Sequence, residues 1–166
     1  MWDNFANKEW FSSTGSYKQS NTMNDITKFN GTFDLESKDS VDEYLKETGS
    51  SFIERKSLCA LKPVIIFSVS AENKFPITIN QAGSPNLKIL SNSSWIIQLE
   101  QPFEADFFGR EMKTTYIAYI EGEKIVSKNV ADATNTISIE MVDGEKFTIE
   151  FSIGSVRAKR IFKRTA

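Results

Sequence analysis

A change of period limits this chain more than any other feature. From Val64 onward apolar and polar residues alternate in twos, the pattern of strands with one dry face and one wet face. Phe147, Ile149 and Phe151 alternate with Thr148, Glu150 and Ser152, and Ile137, Ile139 and Met141 alternate with Ser138 and Glu140. Strands are expected near 64–69, 75–80, 93–99, 112–119, 124–130, 134–142, 146–153 and 155–163, and a first one at Phe29–Leu35. Glu121-Gly122 and Asp143-Gly144 read as hairpin turns, because glycine takes a positive φ without a Cβ clash. Residues 40–60 replace the period of two with a helical one. Ser40-x-x-Glu43 reads as a capping box, and Val41, Tyr44 and Leu45 form one apolar helical face that stops at Gly49. Phe52, Ile53, Lys56 and Leu58 allow a second short helix before Pro63. The chain is therefore mainly β, with one helix-turn-helix after its first strand. So many short antiparallel strands need a sandwich or a barrel to dispose of their edges, and alternation alone leaves both open.

Length and composition then remove most chemistries. The 166 residues suit one domain with a real core. There is no His and one Cys, which excludes Ser-His-Asp and Cys-His triads, His-ligated zinc and an intrachain disulfide. No cofactor is implied. Cys59 lies beside Leu58 and Leu61 with no base nearby, and reads as core rather than nucleophile. Lys plus Arg number 20 against 22 for Asp plus Glu, so no chain-wide positive field for nucleic acid exists. The longest apolar run, Val64 to Phe67, is far short of the ~18 residues of a membrane span. The first ten residues lack the apolar stretch of a secretory signal, so an intracellular protein is expected. The 13 Phe residues, which have no polar handle, should face a core or a greasy ligand.

Residues 1–28 differ from the rest. They are polar, Ser-rich and aperiodic around SSTGSYKQSNT, and read as a flexible arm ahead of a domain over 29–166. Trp2, Phe5, Trp10 and Phe11 in that arm are the basis of an alternative function, an interaction module.

Several motifs run colinearly over about residues 24–164. Phe29-Asn30-Gly31-Thr32-Phe33, then Asp42-Glu43-Tyr44 on a helix with its Gly49 turn, then Phe52-x-x-Arg55-Lys56 and Lys62-Pro63, open the series. Asn92 to Phe103, Val142-Asp143-Gly144 and Arg160-Ile161-Phe162-Lys163-Arg164 continue it. In this order they resemble the cytosolic fatty-acid-binding proteins, of the intracellular lipid-binding family. The resemblance implies a ten-stranded antiparallel up-and-down barrel, lipocalin-like and capped by the helix pair. It implies a cytoplasmic carrier that is not catalytic; the Lys/Arg cluster on the helix pair leaves nuclear import open as well. One long-chain fatty acid would lie inside a monomer that shuttles it between membranes or to other proteins.

The resemblance also implies site residues, with departures. The family often anchors a carboxylate with R-x-Y on the last strand and a second Arg two strands earlier. Arg160 and Phe162 fill the first pair, so the hydroxyl is missing. Ile139 falls in the second Arg slot; a slip of one residue would place Glu140 there, but the alternation favours Ile139 inside. Tyr44, Met141, Ile149 and Phe151 complete the expected ligand contacts. Losing two anchors favours an alternative ligand, a neutral lipid such as a retinoid or an acyl amide. Lys46, Arg55 and Lys56 match basic positions at the family's portal, where they would meet membrane surfaces. Residues 82–92 look longer than the family's turn there. Leu87, Ile89 and Leu90 in it are either an entrance contact or a satellite core.

Overall fold

The computed structural model describes residues 25–69, 75–82, 93–108 and 113–165. Ten strands follow one another as β1 (Gly31–Asp39), β2 (Val64–Val69), β3 (Ile77–Ala82), β4 (Ser93–Ile97), β5 (Pro102–Ala105), β6 (Thr114–Glu121), β7 (Lys124–Asn129), β8 (Thr136–Met141), β9 (Lys146–Ile153) and β10 (Val156–Arg164). Helices α1 (Val41–Glu47) and α2 (Phe52–Ala60) lie between β1 and β2. The sheet order is β4-β3-β2-β1-β10-β9-β8-β7-β6-β5, with every neighbouring pair antiparallel. The pairing of β1 with β10 joins the first strand to the last, which turns a meander into a nearly closed barrel. β4 and β5 share no ladder. The turn between them crosses onto β6 instead, where Glu100 N–H donates to Ala118 O at 2.9 Å.

The barrel has two differently built ends. At one, a 3-10 turn, Ile26–Phe29, leads into β1. Phe29, Phe33, Phe67, Phe147 and Phe162 form a continuous aromatic cluster there, with Phe147 stacked on Phe162 at 4.9 Å and edge-on to Phe33 at 4.8 Å. Arg164 fastens this end. Its guanidinium donates to the carbonyls of Lys28 at 2.8 Å, Asn30 at 2.5 Å and Gly144 at 3.1 Å, and lies 4.6 Å from the Phe33 ring centroid. Gly31 sits at φ +138, and a Cβ there would collide with the Arg164 Nη1 atom. The glycine of the Phe-x-Gly-Thr motif is thus required by the close approach of Arg164.

At the other end the helix pair covers the barrel. Val41, Tyr44 and Leu45 turn their shared face into the core, as the sequence predicts, and α1 packs across β9 and β10. Gly49 ends this turn at φ +91. The expected capping box does not form: Ser40 takes φ 57, a left-handed turn out of β1, and its hydroxyl meets Asp39 rather than the helix. The equivalent cap forms one helix later, where Ser51 Oγ accepts from Glu54 N–H at 3.2 Å.

Two boundaries shift. Strand β5 lies outside the expected strands. It has four residues and opens with a proline, so only Phe103 and Ala105 carry its inward alternation. The core begins at Ile26, already buried, three residues before Phe29. Residues 1–24, including Trp2, Phe5, Trp10 and Phe11, lie outside the described residues, as do Leu87, Ile89 and Leu90.

Candidate ligand site

Alternation along β10 turns Ala158, Arg160 and Phe162 inward. Arg160 is only 3% exposed and is the one buried cation among the described residues. Its guanidinium lies 4.5 Å from the Phe108 ring centroid and 5.9 Å from that of Phe151. Its Nε has no hydrogen-bond partner among the described residues. Burial pushes its pKa down to about 10, below the ordinary guanidinium range but still far above neutrality, so it is charged inside an apolar wall. Such a group calls for an anion, because an unpaired buried charge forfeits its hydration.

The other expected residues divide between the two ends. Phe151 and Tyr44 stand with Arg160 in the upper barrel, their rings 5.3 Å apart. The Tyr44 hydroxyl donates to Asn135 Oδ1 at 2.8 Å, which fixes the helix on the barrel rim. Ile149 is the ladder partner of both Arg160 and Ile139, so these three sit side by side. Ile139 is buried and Glu140 faces outward, across from Lys124 and Thr148; the one-residue slip does not occur. Met141 and Phe162 both flank Phe147, and Phe162 belongs to the packed aromatic cluster at the far end. The proposed last-strand partner of Arg160 is therefore a core ring one inward position away.

Two decisive residues were not singled out from sequence. After β5 the chain folds Phe107 and Phe108 back into the barrel, where both are buried. Phe108 stacks over Arg160 and lies 4.8 Å from Phe151 and 5.7 Å from Tyr44. Phe107 contacts Trp95 at 4.7 Å, Tyr116 at 5.8 Å and Phe151 at 6.2 Å. The signal was the excess of phenylalanine, with an exposed-looking Phe-Phe pair in a segment that lacks alternation.

On the helix pair, Lys46 is exposed, whereas Arg55 is not a free charge. Arg55 Nε donates to Asp42 Oδ1 at 3.1 Å and its Nη1 to Ser50 O at 3.1 Å, which ties α2 to α1. Lys56 approaches the same carboxylate at 3.8 Å and remains largely exposed. Phe52 and Ile53, at the start of α2, are 63% and 77% exposed. Cys59 is half-buried against the core, and burial, with Asp42 nearby, raises its thiol pKa, consistent with a packing role.

A scan of protein-family models finds no match. The muscle fatty acid-binding protein of Schistocerca gregaria is 30% identical to the chain, over 79% of this chain and 92% of that protein. The chain belongs to the fatty acid-binding protein family. As a member it is a lipid-binding protein and not an enzyme. Among solved structures, Echinococcus granulosus fatty-acid-binding protein 1 superposes with a TM-score of 0.70 over 85% of this chain and all of that one, at 16% identity. The Schistosoma mansoni fatty acid binding protein in complex with arachidonic acid gives 0.69 over 86% of this chain, at 20% identity. At such identities these two establish the fatty acid-binding protein fold alone.

Proposed function

We propose that the protein binds one long-chain fatty acid inside the barrel, its carboxylate on Arg160, and carries it through the cytoplasm between membranes. The observation that carries this reading is a buried guanidinium with an unpartnered Nε among aromatic rings. A neutral ligand would leave that charge uncompensated, which favours the acid over a retinoid or acyl amide. Each buried CH₂ adds about 0.8 kcal/mol, so an acyl chain among these walls supplies most of the affinity. The carboxylate contact adds roughly 1.5–3 kcal/mol and sets the head-group preference. Titration calorimetry with oleate should give one saturable site per chain. Heats indistinguishable from dilution for oleate and for saturated acids of similar length would sink this reading.

The surface of the helix pair supports delivery by contact with a membrane. Phe52 and Ile53 stand out from α2, with Lys56 Nζ 5.3 Å from the Phe52 ring centroid and Lys46 exposed on α1. Apolar tips beside cations suit an anionic interface. Exchanging Phe52 and Ile53 for serine should slow ligand transfer to anionic vesicles several-fold while equilibrium affinity stays unchanged. Transfer that is independent of vesicle concentration in the unmodified protein would show release into water instead.

A further inference from the structure

The interior holds a second polar place that a plain fatty acid leaves unused. On β4, alternation turns Ser93, Trp95 and Ile97 inward, with Ser94 and Ile96 outward. Trp95 is buried, and its indole Nε1 has no hydrogen-bond partner among the described residues; nor has Ser93 Oγ on the same inward face. An indole N–H only donates, so an acceptor oxygen is the group that satisfies it. In the sheet order β4 stands four strands from β10. Arg160 and Trp95 thus stand on different walls of the barrel, with no contact between them given by the ring geometry. The rings connect the two places: Phe151 lies beside Arg160, Phe107 lies 6.2 Å from Phe151, and Trp95 lies 4.7 Å from Phe107. A hydrocarbon chain laid along these rings from Arg160 would pass Trp95 with nothing to offer its N–H.

We infer that Trp95, with Ser93 beside it, is a specificity determinant for oxygenated lipids: long-chain acids bearing a hydroxyl or oxo group part-way along the chain. The inference rests on the carrier reading with Arg160 as the head-group partner. In it, the mid-chain oxygen accepts from Trp95 Nε1, and a hydroxyl there also donates to Ser93 Oγ. Tryptophan suits this role because its large apolar body packs on Phe107 while one polar atom discriminates. Only oxygens at the right distance from the carboxylate reach it, so the effect depends on position along the chain.

The test is a calorimetric titration of the full chain with octadecanoate and with a series of monohydroxy-octadecanoates in which the hydroxyl is moved along the chain. One narrow range of positions should bind roughly 3- to 10-fold more tightly than octadecanoate, the scale of one net hydrogen bond. Trp95→Phe keeps an aromatic ring and removes the donor. It should abolish that gain, while octadecanoate, which offers the indole no acceptor, loses much less than the hydroxy acid does. Ser93→Ala, which leaves the indole in place, should reduce the gain for hydroxy acids alone. The inference is overturned if no position gains, or if the gain survives both substitutions. Equal weakening of octadecanoate and hydroxy acid by Trp95→Phe, with no selective effect of Ser93→Ala, also overturns it, since Trp95 then only packs. Octadecanoate that binds without any positional preference sinks this inference and leaves the carrier reading intact; failure of every acid to bind sinks both.

Discussion

Phe147→Ala is expected to lower stability by about 3–5 kcal/mol, the range for a large aromatic removed from a packed core. For a domain of this size that is a fall in Tm of roughly 8–15 °C. Phe147 is fully buried and touches Phe33, Phe67 and Phe162, so its loss opens the centre of the cluster that closes the far end of the barrel. The neighbours have little room to collapse. Phe33 lies under the Arg164 guanidinium, and Arg164 is held by three carbonyls from two segments. Ligand affinity of the folded fraction should change much less, because Arg160, Phe108 and Phe151 belong to the other cluster. Thermal unfolding of the ligand-free protein, with oleate titration below the transition, checks both halves. A Tm within a degree or two of the unmodified protein would mean that the far end is loosely packed. An equal loss of affinity would mean that the ligand reaches it.

The legible part of this fold was whatever a single strand or helix writes locally. Alternation by two assigns Ile137, Ile139, Met141, Phe147, Ile149 and Phe151 to the interior, and all are buried. The face shared by Val41, Tyr44 and Leu45 is legible for the same reason, because its spacing alone defines it. What local pattern does not hold is where segments meet. Ser40 and Ser51 each stand three residues before a Glu, and only the backbone entering the helix decides which one caps. Gly31 reads as a motif letter until Arg164, far away in sequence, is seen against it. Phe107 and Phe108 lie in a segment without period, so their burial depends on a chain reversal after β5 that alternation does not encode. Arg160 was legible by parity, but the ring covering it was not. Arg55 illustrates the opposite case: its type suggested a free portal cation, and a tertiary contact with Asp42 and the Ser50 carbonyl commits it.

Arg160→Met should separate function from stability in the opposite sense to Phe147→Ala. In the ligand-free protein the buried guanidinium is a cost, shown by a pKa pushed down to about 10 by desolvation. The sign follows from linkage. Above about 10 the folded chain gives up this proton while the unfolded chain, at the higher ordinary value, keeps it, so stability rises with pH there and the cost is fully present at neutrality. Methionine has a similar reach, no charge, and a sulfur that packs well on the Phe108 and Phe151 rings. Removing a buried charge in favour of an apolar side chain is often neutral or stabilising. The ligand-free variant should thus melt at the same temperature as the unmodified protein or higher. A fatty acid should bind it about 10- to 100-fold less tightly, the loss of one charge-assisted contact in a dry site. The matching alcohol, which carries no charge, should change by less than about threefold. Differential scanning calorimetry, with parallel titrations of oleate and oleyl alcohol, reads all three quantities. Equal losses for acid and alcohol would show that Arg160 does not meet the carboxylate. A lowered Tm would show that the guanidinium is held by the fold for its own sake, with Phe108 as its structural partner rather than a ring that shares it with the ligand.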